Sequence, residues 1–188
     1  YYWNPNAGQP LNNQLLPITV RDVKSGMDGR RYYKNYLRLI DLRDADNPHL
    51  ADGSVEMAEY AFVNHVGHGT MLYSTHTEPA LDAKGNPKKY HERFFLDRVD
   101  ASNPNQLKAL PKVNIPGKLI DVDASGKVLY TVDYQFDQFG RRRNSFNVLS
   151  LDGDVATLAS VIPVGDEIDR ARILDKEIWM ATHRYAWW

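Results

Sequence analysis

One phrase recurs along this chain: an apolar strand, a tight turn, a second strand, a basic tip and a returning strand. Its fullest copy spans residues 118–153, KLIDVDASGKVLYTVDYQFDQFGRRRNSFNVLSLDG. β-Branched and aromatic runs punctuated by Asp, Asn and Gly are the signature of antiparallel hairpins. Partial copies lie on both sides of it. DADNP at 44–48 is matched by DASNP at 100–104, and MLYSTH at 71–76 by VLYTVD at 128–133 and IWMATH at 178–183. The tips KSGMDGRR (24–31), DAKGNPKK (82–89) and DQFGRRR (137–143) are all hydrophilic, basic and glycine-containing. The spacing is roughly 50 to 57 residues, the length of one four-stranded propeller blade.

This pattern predicts an all-β chain of propeller-like, four-stranded antiparallel blades. A loop at 1–13 leads into half a blade (14–52), a blade (55–115), a second blade (117–164) and an inner hairpin (165–188). Within these, LLPITVRDV (15–23), YLRLIDL (36–42), VEMAEYAFV (55–63) and RFFLDRV (93–99) read as strands, and Gly67, His68 and Gly69 as a turn. Such a count does not close a ring, so the remaining blades are expected from further chain or from a partner subunit. The alternative is a β-sandwich or a plain meander. The ends, YYW at 1–3 and AWW at 186–188, read as pieces of a longer chain or as packed termini.

Composition narrows the chemistry. The chain has 188 residues, a formal net charge of −1 and no cysteine. Disulfides, thiolate metal sites, covalent c-type haem and cysteine nucleophiles are excluded. So near-neutral a chain has no global field to gather nucleic acid or an anionic membrane surface, and no apolar run reaches the roughly 20 residues of a membrane helix. No G-x-S-x-G, P-loop, H-E-x-x-H or G-x-G-x-x-G motif occurs. Asp121 and Asp123 begin like a calcium loop, but Val132 stands where the closing Glu belongs, so they read as a turn. Asp166, Glu167 and Asp169 read as a solvated loop.

The segments RFFLDRVDASNP (93–104), LPKVNIPGKLIDVDASGKVLYTVDY (110–134) and NSFNVLSLDG (144–153) resemble a loose group of bacterial exported β-propeller proteins, distantly akin to WD-type repeats. That resemblance implies the fold and an extracytoplasmic address, periplasmic or secreted. It carries over no activity, no catalytic residue and no cofactor.

Two clusters remain as candidate sites. Lys24, Arg30 and Arg31, then Lys84, Lys88 and Lys89, then Arg141, Arg142 and Arg143 occupy corresponding tips. A basic arc of this kind suits an acidic partner or another anionic ligand, although tips and edges also carry Lys and Arg simply to stay soluble. His76, Asp133 and His183 share one repeat position, and imidazole with carboxylate suits a divalent transition metal. His65 and His68 lie nearby in sequence. The expected function is a binding or scaffold module engaging another macromolecule through blade loops and edges. A propeller hydrolase or lyase acting on an extracellular polymer is the enzymatic alternative, and a subunit packed against a redox protein a third.

Overall fold

The computed structural model describes residues 10–12, 14–25, 27, 30–62, 65–136, 138, 142–165, 167–174 and 177–183. Every regular element among them is a β-strand, and every sheet is antiparallel and open. The chain divides into two compact units, residues 1–77 with 96–112, and residues 78–95 with 113–188.

The first sheet is a meander of β1 (Leu15–Ser25), β2 (Arg31–Asp41) and β3 (His49–Glu56). β4 (Val66–His68), β5 (Met71–Leu81), β6 (Pro87–Asp100) and β7 (Lys108–Ala109) follow in order in the second, with β8 (Val113–Ile115) also pairing β6. The third sheet is β9 (Lys118–Val122), β10 (Val128–Phe136), β11 (Arg142–Asp152) and β12 (Val155–Val164), each beside its neighbour in sequence. β13 (Glu167–Leu174) and β14 (Glu177–His183) form a closing hairpin.

Alternation sets the core of the first unit. On β2, Leu37, Leu39 and Asp41 point inward while their neighbours are partly exposed. Leu37 and Leu39 join Leu11, Ala51, Leu72, Val99 and Ala101, with Leu15, Val55, Met57 and Leu107 packed around them. Each fully buried aliphatic side chain contributes about 1.5–3 kcal/mol. In the second unit Leu119, Val122, Leu129, Phe146 and Leu149 are buried. Phe146 lies tilted against Tyr130 with ring centroids 6.0 Å apart.

Several strand expectations change. VEMAEYAFV is not one strand: β3 ends at Glu56, and residues 57–60 are turn or irregular backbone. The strand pairing β2 instead starts at His49, directly after the Asp-Asn-Pro turn. Gly67 and His68 belong to β4, and the turn is Gly69 with Thr70, where Gly69 takes φ +58°. Glu167 and Asp169 open β13 rather than a loop.

The repeated turns also shift register. In the first, the Arg43 N–H donates to the Asp41 carboxylate, Asp46 N–H to that of Asp44, and Asn47 N–H to the Asp44 carbonyl. In the second, Ser102 N–H donates to Asp100, Asn105 N–H to the Asn103 side chain, and Gln106 N–H to the Asn103 carbonyl. The ladder closes these turns with Asp41 opposite His49 and Asp100 opposite Lys108. Structural equivalence therefore pairs Asp41 with Asp100 and Asp44 with Asn103. The DADNP and DASNP strings match in letters but sit three residues out of step. Asx side chains that accept the N–H two residues on make this turn, and it needs only an Asx at each of two positions.

DAKGN, in the tip between β5 and β6, and DASGK, between β9 and β10, form the same turn. The Gly85 N–H donates to the Asp82 carbonyl and the Gly126 N–H to the Asp123 carbonyl. Asp82 accepts the N–H groups of Lys84 and Asn86, and Asp123 those of Lys127 and Val128. Both glycines have positive φ, +82° and +71°. One joins β5 to β6 and the other β9 to β10, so the shared motif is a turn type, not a position in a repeat.

Candidate functional site

The first unit holds a cavity of about 70 Å³, lined from β2, β3, β5, β6 and β7 and the segments beside them. Leu37, Val55, Met57 and Val99 give it an apolar wall, and Glu56, His65, Ser74, Asp97 and Arg98 bring polar groups to it. One water needs about 10–15 Å³ of such space, so the cavity is large enough for a small water cluster or a few ligand atoms.

His65 is the least satisfied of these groups. It is 6% exposed, and its Nδ1 is buried without a hydrogen-bond partner. Its Nε2 lies 3.5 Å from the Thr19 hydroxyl, which in turn is 3.7 Å from Met57 Sδ. Burial pushes the imidazole down to about 4, so at neutral pH the ring is uncharged.

His76 stands two residues beyond Ser74 on β5. The whole run from Leu72 to Thr77 is buried, so both faces of β5 are covered there. His76 Nδ1 meets both carboxylate oxygens of Asp97, at 2.9 and 2.8 Å, with the His76 side chain 4% and the Asp97 side chain 28% exposed. An Asp in this position holds the imidazole in one orientation. Beside it, Arg98 donates from Nη2 to the Pro111 carbonyl at 2.9 Å. Arg38 does the same to the Ala51 carbonyl at 2.8 Å. Arg38 thus ties β2 to β3 across the first Asx turn, and Arg98 ties β6 to the segment between β7 and β8.

The expected metal set falls differently. His76 is engaged by Asp97 in the first unit. Asp133 belongs to the second unit, where burial raises its pKa and the Tyr134 N–H opposes the shift. The side chain of His183 lies outside the described residues. Among the described residues, no three His, Asp or Glu side chains cluster as metal ligands.

The basic tips are placed one by one. Lys24 and Arg31 are exposed at the end of the β1–β2 hairpin, with Lys24 opposite Tyr32, and Arg30 is exposed beside them. Lys24 lies 3.9 Å from Asp22, an exposed pair worth little. The same hairpin exposes Tyr32 and Tyr33, each 54%, and Arg21 stacks 5.6 Å from the Tyr33 ring. Lys84 sits in the turn before β6 and Lys88 at its start, both exposed. Arg143 is exposed on β11 opposite Gln135. Arg141 and the side chains of Lys89 and Arg142 lie outside the described residues.

Asp97 was missed by the sequence reading. Its one signal is a carboxylate inside the apolar run FFLDRV, where burial demands a partner. The fourth strand expected in the blade at 117–164 is β12, but its exposed apolar edge was not foreseen. Its residues VATLASVIPV carry no charge, yet it is the outermost strand of its sheet. Val155, Leu158, Val161 and Ile162 are 63%, 49%, 50% and 40% exposed. Among the described residues no helix is long and apolar enough to cross a membrane. No family model, curated protein or solved structure matches the chain.

Proposed function

We propose that this chain is a binding or scaffold module built from propeller-like blades, and that it engages another macromolecule through a blade edge. The observation that carries this reading is β12, an uncharged, apolar strand that ends the hydrogen-bonded order of its sheet among the described residues, with β8 lying near it. Free edges are normally blunted by charge, and β12 has only Pro163 near its end. The four-stranded meander β9–β12 has the strand order of a blade, which supports the propeller assignment. The exported address rests on the resemblance of the strand–turn phrases alone.

The test is the mass of the native assembly isolated from the source cells, compared with the Val161→Lys variant. A mass well above 21.5 kDa that falls with the lysine supports edge binding. A mass unchanged by the substitution refutes it.

The pairing of His76 with Asp97 beside a cavity that also meets Ser74 and His65 favours a second reading, a hydrolase or lyase. On that reading Asp97→Asn abolishes turnover of an extracellular polymer while the strand signature in circular dichroism persists. Assembly that survives Asp97→Asn with no activity found in either form returns the decision to the binding module.

A further inference from the structure

The register of β12 on β11 sorts its exposed side chains onto two faces. Val155 lies opposite Asp152, Thr157 opposite Ser150, Ser160 opposite Val148 and Ile162 opposite Phe146. Ala156 lies opposite Leu151, Leu158 opposite Leu149 and Val161 opposite Asn147. Residues directly opposite one another share a face, so Val155, Thr157, Ser160 and Ile162 stand on one side of the sheet. Ala156, Leu158 and Val161 stand on the other. A register shift at Ala159 keeps the two sets apart.

Apolar exposure on both faces of an edge strand selects the kind of partner. A protein laid on one face leaves the other wet. A strand added along the edge covers both faces and also takes up the outward N–H and C=O groups.

The sequence of β12 selects which strand. Read inward from both ends, residues 155–162 pair like with like: Val155 with Ile162, Ala156 with Val161, Thr157 with Ser160, and Leu158 with Ala159. The first three pairs each lie on a single face, as cross-strand neighbours in an antiparallel pair must. No like charges meet. Asp154, just before the strand, falls opposite Pro163 in this register, and Pro163 lacks the N–H that would carry the ladder further.

We propose that two copies of this chain join by antiparallel pairing of β12 with β12, centred between Leu158 and Ala159, to make one continuous eight-stranded sheet. The two-fold axis runs perpendicular to the sheet and makes the interface isologous. This inference rests on the edge-binding reading and names its partner.

Two double variants at exposed positions test the register without touching the core. Thr157→Lys with Ser160→Lys sets lysine against lysine twice across the axis. Thr157→Lys with Ser160→Glu sets lysine against glutamate twice. Light scattering with size exclusion, on purified chain up to about 200 µM, should give twice 21.5 kDa for the parent and for the Lys/Glu variant. The Lys/Lys variant should run as the monomer, with a dimer Kd at least tenfold weaker. A parent that stays monomeric throughout, or two variants of equal Kd, overturns self-pairing. If the purified parent is monomeric but the Lys/Lys variant still loses a complex in extracts of the source cells, edge binding stands and the second copy falls. If neither assembly exists, both fall.

Discussion

Acidification should destabilise the first unit through His65. The imidazole is 6% exposed, pushed down to about 4 by burial, and its unfolded value is about 6.5. A histidine whose folded value is depressed binds more protons unfolded than folded between those two values. Its stabilising contribution is therefore whole above pH 6.5 and is lost as pH falls toward 4. The full shift corresponds to about 3 kcal/mol, and about 2 kcal/mol of it is lost between pH 7 and pH 5. The charged groups at the same cavity are Glu56, Asp97 and Arg98. Asp41, Asp82, Asp100 and Asp123 are all held below their usual range, so their contributions fade only under pH 4. Asp133, raised by burial, acts in the opposite sense and in the other unit. Urea denaturation at pH 7, 6 and 5, with the His65 ring followed by NMR, separates these terms. His65→Leu removes the titration and the unpaired buried Nδ1, and should lose under about 0.5 kcal/mol over the same range while holding its stability at pH 7. A parent whose stability is flat from pH 7 to 5, a His65 ring titrating above pH 6, or a leucine variant with the parent's slope would refute the reasoning.

Glycine geometry separates two substitutions that look alike in sequence. Gly117 has φ +74°, and an added Cβ would lie 2.1 Å from the Val132 carbonyl oxygen; Gly153 has φ +56° with open space around it. Gly117→Ala should cost about 3 kcal/mol or more and Gly153→Ala about 1, read from denaturation midpoints. The β5–β6 turn should accept the sequence of the β9–β10 turn. Lys84→Ser with Asn86→Lys should change stability by under about 0.5 kcal/mol, whereas Asp82→Ala, which removes the acceptor of two exposed N–H groups, should cost about 1.

What the sequence discloses follows from which forces act over short distances. The hairpin cores were legible because alternation along β2 and the apolar phrases of β5 and β10 report burial one residue at a time. Met71 and Val128 both open the second strand of their sheets, as their common phrase suggests. The Asx turns misled because their chemistry is carried by hydrogen bonds, which need an oxygen two residues before an N–H and tolerate Asp or Asn alike. Asp41 and Asp100 share that duty although the letters around them do not match, and DADNP matches DASNP without sharing it. His76 and Asp97 are 21 residues apart in the chain and meet because β5 and β6 are joined as one long hairpin. Only the register of that hairpin decides that Asp97, rather than the repeat-matched Asp133, stands at the imidazole. A one-residue slip would turn the carboxylate to the other face, so the site depends on the ladder and could not be read from the repeat. β12 was legible as the fourth strand of the expected blade, but its edge was not. Its uncharged run looks like any interior strand, and only its place at the end of the β9–β12 order makes the same ten residues an edge that calls for a partner.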